Sequence, residues 1–281
     1  MSFRRFVAIG DSQTEGVGDI PHQDGLDRGW ADRFAAGLDR LAPGLLYANL
    51  AIRGRRIVPI RDEQMEAALA LEPDLVSVLA GANDMIRPGF DPDFTLGVMD
   101  EMQAAFTAAG ATVLTITYPW RSGHLLSDRS RAFNQGLREV ARSNGALLLD
   151  LETIPATIDP RLWCHDRLHL NAEGHHRLSR AMLALLEGQA SGRSELTLEV
   201  ASQGGVPDWA LELPPPPVLP RVKALRQDLG WTFRYLLPWI GRRLTGRSSG
   251  DGRLAKRPEL APASDIAIPP TGDVRQFCPG P

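Results

Sequence analysis

The chain has 281 residues, 43% of them hydrophobic and 23% charged, with a formal net charge of −3; this is ordinary globular composition, long enough for one sizeable α/β domain plus an appendage. No apolar run reaches the roughly 18 residues of a membrane-crossing helix, and the opening MSFRRFVAIGDS lacks the apolar core and small-residue cleavage site of a signal peptide, so a cytoplasmic protein is expected. Cys164 and Cys278, the two cysteines, are too few for a disulfide framework or a thiolate zinc site and read as free thiols.

In chain order, a strand over 3–9 leads to a helical pattern over 29–41, and a strand over 45–50 to a helix over 61–71. Strands over 75–80 and 112–118 are then followed by helices over 93–109 and 128–143, and a strand over 146–151 by a last helix over 171–187 with Asn171 as its N-cap. The strand segments are short, apolar and bounded by Gly, Pro, Asn or Asp, as buried parallel strands are. Five strands alternating with five helices predict a parallel sheet covered on both faces. Chemistry in such sheets sits beyond the carboxyl ends of the strands.

The character changes after residue 188, giving an expected division into a domain over 1–188, a connector over 189–220 and a tail over 221–281. The connector is Gly/Ser-rich, carries one short strand signal at 196–200, and ends in LPPPPVLP (213–220), a stiff polyproline spacer. Val222, Leu225, Leu229, Phe233, Leu236, Ile240 and Leu244 then step at three and four with basic residues between them, an amphipathic basic helix broken near Pro238. From Gly246 onward the sequence reads as disordered or loosely attached. Residues 221–257 hold ten Lys/Arg against two Asp, a balance of +8 that leaves −11 for the remainder. Three roles suit this tail: docking on the domain, contact with an anionic membrane surface, or contact with a protein through residues 221–245. Nucleic acid is not expected as a partner, since the body is acidic and no nucleic-acid motif is present.

Compact polar groups follow four of the strands. Gly10-Asp11-Ser12 follows the first, Asn49 to Gly54 the second, Gly81-Ala82-Asn83-Asp84 the third, and His165-Asp166-Arg167-Leu168-His169 the fifth. A serine becomes a nucleophile when a base takes its proton and a third group holds that base. Asp166 and His169, three apart on one loop, supply an acid that orients a ring, which gives Ser12, Asp166 and His169 the logic of a catalytic triad. Donors for a developing oxyanion are the backbone N–H groups of Ser12 and Gly54 and the side-chain amide of Asn83. Asp11 reads as a structural acceptor for neighbouring loops.

These blocks together resemble the SGNH hydrolases, also called GDSL-type esterases and lipases, over about residues 3–187. GDSQTEG is similar to the first block of that family, NLAIRG to the second, GAND to the third and DRLH to the last. The resemblance implies a flavodoxin-like three-layer α/β/α fold with a five-stranded parallel sheet. It also implies a serine hydrolase without metal or other cofactor, cleaving carboxylic esters of small molecules, lipids or carbohydrates through an acyl-enzyme. Ser12, Gly54 and Asn83 would form its oxyanion hole, with Asp11 and Asn49 in support. The first block continues Gln13-Thr14-Glu15 where the GDSL name has leucine, which weakens any lipase-specific expectation.

Other readings compete. Ser12 also suits a helix N-cap, Asn83 a turn, Asp84 a loop or cap, and His165, Asp166 and His169 a metal site that lacks a third histidine. Glu15 either lines the pocket or pairs with an arginine. Arg53, Arg55 and Arg56 read as a solvated loop, and His175 and His176 as partly exposed helix residues. The G-x-x-x-x-G-K-[ST] spacing of a phosphate loop and the G-x-S-x-G elbow are both absent around Ser12. A non-catalytic binding module acting through the basic tail, and an acyltransferase on the same triad, are the alternative functions.

Overall fold

The structure, a computed structural model, describes residues 2–119, 127–189, 192–202, 205–214, 230, 232–236, 238 and 248–268. The first strand β1 (Arg5–Gly10) leads into a one-turn helix α1 (Ser12–Glu15), then α2 (Gly29–Leu41) and β2 (Leu46–Asn49). Two short helices, α3 (Ile57–Ile60) and α4 (Glu66–Ala70), are joined by a π-helical turn (Arg61–Met65). The order continues with β3 (Leu75–Leu79), α5 (Ala82–Met85), α6 (Pro92–Ala108), β4 (Thr112–Ile116), α7 (Ser127–Ser143), β5 (Leu147–Leu149) and α8 (Ala172–Gln189). Last come two strands, β6 (Glu195–Leu196) and β7 (Arg257–Pro262).

The sheet order is β6-β5-β4-β3-β1-β2-β7, parallel throughout except for β7, which runs antiparallel to β2. Alternation along the strands divides the core. Phe6, Ala8, Leu75, Leu79, Leu114 and Leu147 face α2 and α8, packing against Trp30, Phe34, Met182 and Leu185. Val7, Ile9, Val76, Val78, Val113 and Leu148 face the other way, onto Ile57, Ile60, Met102, Phe106, Phe133 and Leu137. A strand buried on both faces has no polar side to spare, and apart from Ser77 and Thr115 the polar residues of the inner strands sit at their ends.

Two expectations are corrected. The sheet has seven strands rather than five, because a residue pair at 195–196 and the segment 257–262 join its two edges. The region beyond Gly246 is not loose where it is described: after β7, Ala263 and Ile266 are buried in the core with Trp30 and Tyr47. Its anchor is Lys256, whose Nζ is 2.7 Å from Asp32 Oδ1 and donates to the carbonyls of Asp27 and Arg28, both at 2.8 Å. Apart from Thr232–Leu236, a single helical turn, and Gly230 and Pro238, the expected basic helix over 222–244 lies outside the described residues, as does most of 213–220. Among the described residues no helix is long and apolar enough to cross a membrane.

Candidate active site

β1 ends at Gly10 in a conformation with φ +150°, where an added Cβ would lie 2.5 Å from the carbonyl oxygen of Leu79. Only glycine lets the chain turn this close to its neighbour. Gln64, at the π-helical turn, holds that backbone from both sides: its Oε1 accepts from Gly10 N at 2.8 Å and its Nε2 donates to Gly10 O at 3.0 Å. π turns insert a residue into a helix and so re-aim a side chain.

Asp11 is the N-cap of α1, its Oδ1 accepting from Gln13 N at 3.2 Å. Ser12 is therefore the first residue of the helix and not its cap, so its own N–H has no partner within the helix. Asn49 braces this turn, donating from Nδ2 to the Thr14 carbonyl (2.8 Å) and to Tyr47 Oη (2.9 Å), while its Oδ1 accepts from Ala51 N.

The loop from Trp163 to Leu170 is closed by Cys164 N donating to His169 O at 2.8 Å, and by Arg167 at φ +61°. Within it Asp166 Oδ2 lies 2.6 Å from His169 Nδ1, and Asp166 Oδ1 accepts from the backbone N–H groups of Leu168 (2.9 Å) and His169 (3.0 Å). With Nδ1–H given to the carboxylate, the neutral ring carries its free lone pair on Nε2. Gln13 stitches this loop to the serine turn: Nε2 donates to Leu168 O at 2.8 Å and Oε1 accepts from Leu170 N at 3.4 Å. Ser12 and His169 are thus held in adjoining loops, without a hydrogen bond between their own side chains.

The electrostatics are those of a shared carboxylate and imidazole. Burial pulls His169 down, but the hydrogen bond and charge of Asp166, aided by the charge of Asp11, outweigh it and leave the pKa above 6.5. Burial likewise raises Asp166, and His169 together with two backbone N–H groups brings it below 3.8. Asp11 is the exception. Burial dominates there and raises its pKa to about 6, in spite of hydrogen bonds from Gln13 and Asn83 and the charge of His169.

Asn83, in α5, donates from Nδ2 to Asp11 Oδ2 at 2.9 Å and to Arg55 O at 3.1 Å. Asp84 beside it, within α5, accepts from Ile57 N at 2.9 Å at the start of α3. Gly54 has φ +75°, and its carbonyl accepts from Ser248 Oγ at 3.4 Å. Arg53 is not solvated. Its guanidinium donates to Glu15 Oε1 (2.8 and 2.5 Å) and to the Asp27 carboxylate, and its N–H to Glu15 Oε2 at 2.6 Å. A small cleft beside the Trp163–Leu170 loop is lined by Val17, Gly18, Cys164, Asp166, His169 and Tyr235.

His175 is fully buried rather than partly exposed. Its Nδ1 accepts from Trp30 N at 3.1 Å, so Nε2 carries the proton and donates to Val17 O at 3.1 Å. Burial lowers its pKa to about 4, keeping it neutral. It holds the wall of the cleft. Gln13, Gln64 and His175 shape the site through contacts with residues far away in the chain, roles that the sequence does not mark.

Residues 8–177 match the GDSL-like lipase/acylhydrolase family. The chain is similar to an acetylxylan esterase of Geobacillus stearothermophilus, 24% identical over 209 residues, covering 65% of this chain and 93% of that protein. Among solved structures it resembles LAE5, an α/β hydrolase enzyme from the metagenome of Lake Arreo, Spain (22% identity, TM-score 0.58, 66% of this chain and 95% of that one). It also resembles the psychrotrophic esterase EstA from a Pseudoalteromonas species (17% identity, TM-score 0.56, 67% and 99%). With the family matched over more than half its length, the chain belongs to the GDSL-like lipase/acylhydrolase family and is a hydrolase of carboxylic esters.

Proposed function

We propose that this protein cleaves O-acetyl and related short acyl esters of small molecules or carbohydrates by a serine mechanism with an acyl-enzyme. The observation that carries the reading is the 2.6 Å contact between Asp166 and His169 on a loop stitched by Gln13 to the turn bearing Ser12. The likeness to an acetylxylan esterase supports the acetylated carbohydrate as substrate class.

In this mechanism Ser12 Oγ attacks the ester carbonyl carbon as His169 Nε2 takes the serine proton, and Asp166 stabilises the imidazolium. Collapse of the tetrahedral intermediate expels the alcohol, which receives the proton from His169. Water, deprotonated by the same nitrogen, then attacks the acyl-enzyme and frees the acid. The oxyanion is met by the N–H groups of Ser12 and Gly54 and by Asn83. Asn83 keeps its bond to Asp11 as a pivot and turns its second N–H from Arg55 O to the substrate. The test is intact-mass labelling with a fluorophosphonate: one adduct is expected, mapping to the peptide with Ser12, alongside turnover of p-nitrophenyl acetate. Labelling elsewhere, or none in folded protein, removes the proposal.

Asp11 predicts a pH effect. Its negative charge favours the proton on His169, and ester cleavage needs that proton gone. The acid limb of kcat/KM is therefore expected above pH 6.5 in the wild type, and Asp11→Asn should move its midpoint to lower pH. A midpoint that stays put or moves up contradicts the coupling.

A further inference from the structure

We propose that the segment 248–266, which lies beyond the residues matched to the family, is a positioning element of the active site, pressing the Arg53–Gly54 loop into place. The proposal rests on the reading of Gly54 as an oxyanion donor. Three observations converge on it.

The segment is fixed at its middle by burial of a charge. Lys256 reaches into the domain between α2 and the stretch before it, with its ammonium on Asp32 and on the carbonyls of Asp27 and Arg28. Beyond it, β7 pairs with β2 and Ala263 and Ile266 enter the core. A buried lysine of this kind does not slide.

From that anchor the chain lies directly against the loop. Ser248 Oγ donates to Gly54 O at 3.4 Å. Gly250 is buried and packs so tightly that a Cβ there would come within 2.0 Å of Arg53 O and 3.1 Å of Ile52 Cγ2. The loop has its back to this segment.

The same loop is tied from its other side to the serine turn. Arg53 bonds Glu15, three residues after Ser12, and the Asp27 carboxylate, while the Asp27 carbonyl accepts from Lys256. A continuous path of hydrogen bonds thus runs from α1 through Arg53 and Asp27 to the anchor of the C-terminal segment. An oxyanion donor acts only if it is held in advance where the charge develops, and a loop with a glycine at its tip has little stiffness of its own. The segment supplies it. Ser248 and Gly250 are positioning residues, and Gly54 is what they position.

The test is Gly250→Ala in the full chain, read by hydrogen exchange of the 51–56 amides and by steady-state kinetics with p-nitrophenyl acetate. The methyl group overlaps backbone, so the segment must back away from Arg53 while the Lys256 anchor is untouched. Expected are at least roughly tenfold faster exchange over 51–56 with β5 unchanged, and a kcat lowered about tenfold with KM within twofold, the pattern of an interaction used in the transition state. Ser248→Ala, which removes one hydroxyl, should move both readouts the same way by a smaller factor and serves if Gly250→Ala does not fold. Unchanged exchange overturns the proposal, as does faster exchange with unchanged kcat. A wild type that neither labels nor turns over would instead overturn the triad assignment, and exchange alone would then decide whether the segment holds the loop.

Discussion

Ser12→Ala is expected to lower kcat for p-nitrophenyl acetate by at least about 10⁴-fold, since serine triads lose on the order of 10⁶ when the nucleophile is removed. The fold should not notice. The Ser12 hydroxyl caps nothing, because Asp11 is the N-cap, and the helix is closed by backbone bonds to Asp11 O and Ser12 O. Unfolding free energy is therefore expected within about 0.5 kcal/mol of wild type. His169→Ala should cost as much, and adding it to Ser12→Ala should cost little more, because the two act as one unit. Asp166→Asn is the more informative partner. An asparagine can keep its oxygen on the N–H groups of Leu168 and His169, where Asp166 Oδ1 now accepts. Its NH₂ then faces His169 Nδ1, which becomes an acceptor, and the ring proton moves to Nε2. A ring protonated there cannot act as base, and a loss of about 10⁴ follows with the loop intact. Turnover by Ser12→Ala above about one per cent of wild type would sink the assignment.

Much of this site could be read along the chain because each of its parts is local. Gly10, Asp11 and Ser12 are consecutive, Asp166 and His169 share one loop, and every block follows a strand whose apolar run announces it. The α/β class followed from the same alternation. What escaped depends on contacts between distant residues. Gln64 reaches Gly10 across 54 positions, from a π turn that no apolar periodicity marks. His175 looks like a surface residue beside His176 until Trp30 N and Val17 O are found on either side of its ring. β7 carries two prolines and two charged residues in RPELAP, so neither alternation nor β-propensity marks it as a strand; it pairs on an edge, where proline is tolerated. Lys256 sits in the most basic stretch of the chain and reads as solvated. Its partner, Asp32, is on α2 and 224 positions away.

That pair sets the largest stability effect. Asp32 is fully buried, and both its oxygens are used: Oδ1 meets Tyr47 Oη at 2.8 Å and Lys256 Nζ at 2.7 Å, and Oδ2 meets His22 Nε2 at 2.8 Å and Arg257 Nε at 3.3 Å. Burial opposes the charge, but Lys256, His22 and Arg257 prevail and lower the Asp32 pKa to about 2. Asp32→Leu removes the acceptor and strands a buried ammonium, so a loss of about 3–5 kcal/mol in urea unfolding is expected. Lys256→Met should cost somewhat less, because His22, Tyr47 and Arg257 still attend the carboxylate. The double variant Asp32→Leu/Lys256→Met leaves neither charge unpaired and should recover much of the loss, giving a coupling energy well above the cost of the smaller single change. The acid limb separates this from simple packing. A carboxylate whose folded pKa lies below its unfolded value of 3.8 contributes stability that is complete above that value and is lost as pH falls toward about 2. Wild type minus double variant should therefore shrink across that window. A Lys256→Met protein within about 1 kcal/mol of wild type at pH 7 would show that the ammonium is not bound as tightly as its surroundings demand.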